Sequence, residues 1–154
     1  MKTRAILSFL VAFFAGLSIC LAADPNIGTW KLNESKSKIA PGSPKNTTVV
    51  YTADGGKIKV IVDGVDKDGK PAHNEWTGMF DGKDYPLAGD PFTDTRGYKQ
   101  IDPNTLELWN KKGGKVMATG TIVIAPDGKS RTLTTKSKGA DGKEVVSIAV
   151  YDKQ

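Results

Sequence analysis

The sequence has few of the side chains that most often carry catalysis or bind transition metals. Its 154 residues include one cysteine, Cys20, and one histidine, His73. A structural zinc site usually takes about four Cys or His ligands, and a disulfide takes two cysteines, so neither fits this chain. No nucleophile elbow, phosphate-binding loop or metal-ligand spacing is present. We therefore expect a protein that is not an enzyme, binds no metal and uses no cofactor.

Charge of one sign is not concentrated anywhere in the chain. The formal net charge is +5, but the lysines alternate with Asp and Glu along the sequence. A contiguous basic patch with interleaved aromatic residues, which is typical of nucleic-acid-binding proteins, is absent. This distribution predicts a solvated surface and no nucleic-acid partner.

Residues 1–23 have the layout of a secretory signal peptide. Lys2 and Arg4 precede an uncharged and mainly apolar stretch, which ends in the small residues Ala22 and Ala23. We predict cleavage after Ala22 or Ala23. Removal of Lys2 and Arg4 lowers the formal net charge from +5 to +3.

Cleavage leaves residues 24–154 as a single domain, which we expect to be periplasmic or secreted, with no membrane insertion. Two alternatives stay open. The leader is close to spanning length and would serve as an anchor if it is not cleaved. A lipid anchor on Cys20 is the other alternative, although Ile19 is not the small residue that a lipoprotein box requires before its cysteine.

Helical periodicity is also missing, because no segment after Pro25 shows an apolar period of 3.6 residues. Instead, an Asp, one or two Gly and a Lys follow one another five times. Gly readily adopts the positive φ of tight turns, and Asp-Gly between alternating apolar runs is a strong hairpin signal. The five segments are Asp54–Lys57, Asp68–Lys70, Asp81–Lys83, Asp127–Lys129 and Asp141–Lys143.

One of these turns partly matches a calcium-binding loop. Asp66 and Asp68 precede Gly69, and Glu75 follows at a distance. The first ligand position of such a loop would fall on Gly64, and the flanking segments have strand rather than helix patterning. We therefore predict that these carboxylates are turn and surface residues and that no calcium site exists.

Turn signals separate eight to ten short segments in which apolar and polar residues alternate. On Pro71–Phe80, for example, Trp76 lies on the more apolar face, whereas His73 and Glu75 lie on the outer face. This pattern predicts an all-β fold. Because most links are short, an antiparallel up-and-down barrel of about 8–10 strands is favoured over a Greek key. The longer segments Glu34–Asn46 and Ala88–Asp94 are predicted to be loops at the barrel rim.

Both ends of the mature chain resemble known barrel proteins. The segment Gly28–Trp30 is similar to the Gly-x-Trp opening of the lipocalin and fatty-acid-binding protein group, and Val150–Lys153 is similar to the last strand of fatty-acid-binding proteins. As a whole, the chain resembles small bacterial secreted proteins described as lipocalin-like. The helix pair of fatty-acid-binding proteins has no convincing counterpart in Glu34–Asn46.

The resemblance assigns structural roles to a few residues. It implies that Trp30 plugs one end of the barrel and that Gly28 lets the first strand enter closely. Lipocalins usually place an arginine over this tryptophan. After the leader the chain has only Arg96 and Arg131, and Arg131 on the penultimate strand is the better candidate.

A barrel of about eight strands is either filled by its own side chains or holds one small ligand. Two function classes therefore stay open: a binding protein for a small, mainly apolar ligand, or a self-filled barrel that acts through its surface as an envelope or extracellular interaction module. An enzyme built on Glu75 or Tyr98 is a third class, for which no motif suggests a substrate. The predicted ligand-binding residues that the alternation turns inward are Tyr51, Val60, Trp76, Phe80, Leu108, Ile122 and Ile148. Tyr98 and Arg131 are predicted to add polar groups that orient a ligand.

Overall fold

The computed structural model describes residues 24–154, so the predicted signal peptide, its cleavage site and Cys20 lie outside the described residues. The described chain forms ten β-strands and one turn of 3-10 helix at Glu34–Lys36. The strands are β1 Gly28–Leu32, β2 Lys45–Asp54, β3 Lys57–Val65, β4 Pro71–Gly78, β5 Asp81–Ala88, β6 Thr95–Asp102, β7 Thr105–Lys112, β8 Lys115–Ile124, β9 Ser130–Lys138 and β10 Glu144–Lys153.

Each strand pairs antiparallel with its neighbours in sequence, and β1 pairs with both β2 and β10. The sheet is thereby a closed barrel with up-and-down connectivity, and the predicted fold class and strand number are confirmed. Closure removes the unpaired strand edges that an open sheet would present. In the part of the chain that the structure describes, no helix has the length and hydropathy needed to cross a bilayer.

Glycine pairs make the tightest hairpins of the barrel. Gly55 and Gly56 join β2 to β3 with φ of 54° and 84°, and Gly113 and Gly114 join β7 to β8 with φ of 55° and 79°. Positive φ at both central residues defines the type I′ turn, whose twist matches that of paired strands. The prediction of a hairpin turn at Asp54–Lys57 is confirmed.

One Asp-Gly-Lys segment is not a hairpin turn, contrary to the prediction. β4 ends at Gly78 and β5 already begins at Asp81, so residues 81–83 belong to β5, where the register shifts before Asp84. β4 and β5 share only two residue pairs, which leaves a seam in the wall. The ring of Tyr85 fills this seam, since a Cβ on Gly78 would overlap it.

The barrel interior is filled by aromatic and aliphatic side chains that alternate with outward polar residues along the strands. The buried apolar residues form one continuous cluster, and Phe80 and Leu133 are among the half-buried residues that pack against it. The members of the cluster are Trp30, Val49, Tyr51, Val60, Val62, Trp76, Leu87, Tyr98, Leu106, Leu108, Ile122, Ile124, Ala149 and Tyr151.

The prediction that Ile148 faces the interior is wrong. Its side chain is 36% exposed, whereas Ala149 and Tyr151 are buried. Tyr151 is the direct cross-strand partner of Arg131, so the two side chains share one face of the sheet. A shift of one residue in the strand register moves every side chain to the other face of the sheet. Because the Tyr151 ring is buried beside Arg131, Ile148, three residues earlier, faces outward.

Candidate functional site

The two ends of the barrel differ in how completely they are filled. At one end, which we call the closed end, residues 24–27 precede β1 and Trp30 is fully buried. The opposite end, which we call the loop end, carries the connections β1–β2 and β5–β6, as predicted for the two long loops. Any ligand would therefore meet different chemistry at the two ends.

The closed end is built around Arg131, which is 3% exposed. Its guanidinium carbon lies 4.7 Å from the ring centroid of Trp30, 4.8 Å from that of Tyr51 and 5.1 Å from that of Tyr151. A cation–π contact contributes about 0.5–1 kcal/mol at an exposed site and about 2 kcal/mol or more when water is excluded. The predicted placement of Arg131 against Trp30 is confirmed.

Trp30 is held at the closed end from several sides. Its Nε1–H donates a hydrogen bond of 2.8 Å to the Asn26 carbonyl, and the Lys153 ammonium lies 5.0 Å from its ring centroid. Gly28 has a φ of +129°, and a Cβ at this position would overlap the Lys153 side chain. The positive φ, which is strained for residues with a side chain, gives a backbone reason for glycine at this position.

Aromatic rings fill the middle of the barrel. The Trp76 ring centroid lies 4.8 Å from that of Tyr98 and 6.3 Å from that of Phe80, and Tyr51 meets Tyr98 edge-on at 6.5 Å. Burial raises the pKa of Tyr98 well above its ordinary value and that of Tyr151 to about 12. These phenols are therefore neutral at physiological pH.

A second buried arginine lies between the aromatic layer and the loop end. Arg96 is 6% exposed. Its Nε donates to Asn110 Oδ1 at 2.7 Å, and its Nη1 donates to Asn74 Oδ1 at 3.3 Å. Its carbonyl accepts the Trp76 Nε1–H at 2.8 Å. We refer to Arg96, Asn74 and Asn110 as the Arg96 cluster.

Sequence reasoning missed the Arg96 cluster, although part of the necessary signal was present. Arg96 is two residues from Tyr98, Asn74 is two residues from Trp76, and Asn110 follows Leu108 in the same way. Because alternate residues of a strand share a face, each cluster member faces inward with its apolar neighbour. The meeting of the three side chains depends on the register between strands, which alternation within a strand does not supply.

Neither buried arginine has an acidic partner in the barrel. Among residues 24–154, the buried polar or charged side chains are Asn26, Thr93, Arg96, Arg131 and Ser147, and none is a carboxylate. No ion pair of the described residues involves either arginine, and Nε and Nη1 of Arg131 make no hydrogen bond there. The interior therefore carries two guanidinium groups whose charge no described side chain neutralises.

On β8, β9 and β10, the inward-facing residues near the loop end are small and partly exposed. Ala118, Ser137 and Val145 pair across β8, β9 and β10, and each is half-buried. Thr135 lies on the same face and is also half-buried. This side of the loop end is thus less completely buried than the closed end.

The structure brings most of the predicted site residues together and leaves their role in ligand binding as a prediction. Phe80 is half-buried against the core and Ile148 is on the outside, as described above. The predicted residues that are buried in the interior are Tyr51, Val60, Trp76, Tyr98, Leu108, Ile122 and Arg131.

Two depressions are the best formed on the described part of the chain, and both are open to solvent. One, of about 420 Å³, lies at the loop-end rim between the β1–β2 connection and the β3–β4 hairpin, with Leu32, Ile39 and Val65 in its lining. The other, of about 380 Å³, lies on the outer face of β7–β9. Neither is enclosed within the barrel interior.

The histidine lies outside the barrel, where it was predicted, among charged neighbours. His73 Nδ1 is 2.6 Å from Asp63 Oδ1, and Nε2 is 3.3 Å from Glu75 Oε1. Glu75 also pairs with Lys59 at 2.8 Å. Hydrogen bonding to Asp63, and secondarily to Glu75, raises the pKa of His73 above 6.5.

The acidic residues that partly matched a calcium loop serve the β3–β4 turn. Asp66 Oδ1 accepts the backbone N–H groups of Asp68 and Lys70 at 2.8 and 2.9 Å, and Lys67 Nζ lies 2.9 Å from Asp68 Oδ1. Within residues 24–154, no group of three or more His, Cys, Asp or Glu side chains is arranged to hold a metal ion.

These features define a class of fold: a closed ten-stranded antiparallel barrel that is plugged at one end. No family model and no curated protein matches the chain in sequence. Among solved structures, the chain is similar to a redesigned β-barrel, mFAP1, bound to DFHBI, with 15% identity and a TM-score of 0.47 over 86% of this chain and 98% of that one.

Two further solved structures are similar at the same low level. A fluorescence-activating β-barrel designed de novo shares 16% identity with a TM-score of 0.41, covering 85% of this chain and 98% of that one. Lobster apocrustacyanin A1 shares 15% identity with a TM-score of 0.41, covering 86% of this chain and 63% of that one.

The single histidine offers a direct test of the outer charged cluster. In an NMR titration, we expect His73 to have a pKa above 6.5, because Asp63 and Glu75 stabilise its protonated form. Its contribution to stability is then fully present below the unfolded-state pKa and is lost as the pH rises through the folded-state pKa. Asp63→Asn should lower the His73 pKa, whereas Glu107→Gln, on β7, should not. A wild-type pKa at or below 6.5 would contradict the described contacts.

Proposed function

We propose that this protein is a non-catalytic, lipocalin-like binding protein whose barrel takes a small, mainly apolar ligand with an anionic head group. The observation that carries the proposal is the pair of buried guanidinium groups without a carboxylate partner. A buried charge is costly unless it is paired and hydrogen-bonded. An anionic head group would supply the missing partner.

The two arginines suit different roles. Arg131 is enclosed by Trp30, Tyr51 and Tyr151 at the closed end. Arg96 lies nearer the loop end, where Asn74 orients its guanidinium. We therefore assign head-group recognition to Arg96, with Arg131 as part of the plug.

Apolar contacts would supply most of the affinity. Trp76 donates its Nε1–H to the Arg96 carbonyl, and Leu108 is the cross-strand partner of Tyr98, two residues from Arg96. Phe80 and Ile122 continue the same core towards the closed end. Burial of ligand surface against such side chains contributes about 25 cal/mol per Å². Entry is assigned to the loop end, because the opposite end is filled by Trp30 and the rings around Arg131.

A displacement assay tests both parts of the proposal. Anilinonaphthalene sulfonate, an apolar anion, should bind the folded protein, and decanoate should displace it. Decanol, which has the same chain length without the charge, should bind at least about tenfold more weakly, because a charge-assisted hydrogen bond is worth roughly 1.5–3 kcal/mol.

Substitution of Arg96 distinguishes head-group recognition from nonspecific hydrophobic binding. Arg96→Met keeps much of the side-chain length and should reduce decanoate affinity about tenfold while leaving decanol affinity nearly unchanged. Lys99→Met, on the exposed face of the same strand, is the matched control and should have no effect. A cooperative thermal transition for each variant establishes that it is folded. Equal binding of decanoate and decanol to the wild-type protein would contradict the anionic head group.

The second candidate, a self-filled barrel that acts through its surface, is favoured by the position of the two best-formed depressions outside the interior. The same assay distinguishes it. If neither the probe nor decanoate binds, and native mass spectrometry finds no co-purified ligand, the self-filled barrel is the correct account.

We also propose that the protein is exported and cleaved after Ala22 or Ala23, on the basis of the leader composition. Expression of the full chain in a bacterium, followed by intact-mass measurement of the exported product, should give the mass of a chain that begins at Ala23 or Asp24. A product that retains Lys2 would contradict cleavage. A product extended by lipid on Cys20 would support the lipid-anchored alternative.

A further inference from the structure

The central part of the outer face of β7–β10 carries little charge. Its outward residues are aligned by the strand register in three cross-strand rows of four. The rows are Trp109–Thr119–Lys136–Val146, Glu107–Thr121–Thr134–Ile148 and Thr105–Val123–Thr132–Val150. We call these twelve residues the threonine face. Only Glu107 and Lys136 among them are charged.

The threonine face presents hydroxyl and apolar groups to solvent at regular spacing. Val123 is 48% exposed, Val146 44% and Ile148 36%, and Thr119 and Thr121 are exposed between β7 and β9. Neighbouring strands lie about 4.8 Å apart, so four strands make a surface about 14 Å wide. An array of this kind can hydrogen-bond and make van der Waals contact over the length of a short oligomer.

A tryptophan lies flat at the border of this face. A Cβ on Gly97, the cross-strand partner of Trp109, would overlap the indole ring, so the ring covers the Gly97 backbone. Its Nε1–H donates to Asp84 Oδ1 at 2.5 Å, and Lys111 Nζ lies 6.0 Å from the ring centroid. The ring is thereby fixed in orientation and only half-buried.

The depression of about 380 Å³ on the outer surface lies within this region. Its lining includes Trp109, Thr119, Thr121, Thr134 and both charged residues of the face. The site therefore combines one fixed aromatic ring, three hydroxyl groups, one carboxylate and one ammonium. It is on the opposite side of the barrel wall from the interior cluster.

We propose that the threonine face is a binding site for a neutral saccharide. A pyranose ring has an apolar C–H face and a periphery of hydroxyl groups, which match an aromatic ring bordered by hydrogen-bonding side chains. Threonine hydroxyls both donate and accept hydrogen bonds, and Glu107 and Lys136 add one strong acceptor and one strong donor. The near absence of net charge disfavours a nucleic acid or an acidic peptide.

Binding should be detectable by NMR and by fluorescence. On addition of cellohexaose or chitohexaose to the purified ¹⁵N-labelled protein, we expect the largest amide shifts at Thr119, Thr121 and Thr134. Intrinsic fluorescence should change through Trp109, because Trp30 and Trp76 are 0% and 1% exposed. An open site with few contacts predicts a Kd of roughly 0.1–1 mM.

Paired substitutions test the role of the hydroxyl groups without removal of the tryptophan. Thr121→Val with Thr134→Val keeps the shape and β-propensity of both side chains and should weaken saccharide binding about tenfold, since two hydrogen bonds are lost. Thr52→Val on β2, another exposed strand threonine, is the control and should leave binding unchanged. Trp109→Phe should also weaken binding, with thermal unfolding measured in parallel because the ring covers Gly97.

The proposal is overturned if neither hexasaccharide causes shifts at about 10 mM, a concentration well above the expected Kd. It is also overturned if the threonine face shifts with protein concentration alone, which would identify the face as a contact between copies of this chain. Shifts confined to interior residues would likewise contradict it.

Discussion

The arginine at the closed end fixes the geometry on which the rest of the barrel depends. Arg131 lies 3% exposed among the rings of Trp30, Tyr51 and Tyr151, which come from β1, β2 and β10. One guanidinium thus links the strands at which the barrel closes. Because Tyr151 is its cross-strand partner, the same contact determines which residues of β10 face inward and which form the outer surface.

The two buried arginines illustrate different ways to place a charge in an apolar interior. Arg131 relies on aromatic faces, and two of its nitrogens make no hydrogen bond among the described residues. Arg96 is held by the amide oxygens of Asn110 and Asn74. Neutral amides orient a guanidinium but do not neutralise it, so both arginines keep an uncompensated charge, and Arg96 is the one that lies towards the loop end. The two ends of the barrel therefore differ chemically: one is plugged by aromatic rings around Arg131, and the Arg96 cluster lies towards the other.

The sequence alone was sufficient for the fold and insufficient for the site. Turn glycines, alternation and the Gly28–Trp30 motif predicted the barrel and its plug, because these signals are local. The face of β10 was assigned wrongly, since Val146, Ile148 and Val150 are more apolar than Ser147 and Ala149, and only the pairing with Arg131 corrects the frame. The Arg96 cluster depends on contacts between residues 14 and 22 positions apart, which composition does not reveal.

The most direct test of this account is the side-chain NMR signal of Arg131 Nε–H in the folded protein. If the guanidinium lies among three aromatic rings, this proton should be shifted upfield by ring currents and should exchange slowly with water at neutral pH, whereas Arg96 Nε–H, bonded to Asn110, should lack the upfield shift. An Arg131 Nε–H signal with the chemical shift of a solvent-exposed arginine and fast exchange would contradict the burial of Arg131 among the rings. It would also contradict the assignment of inward and outward residues on β10 that depends on this burial.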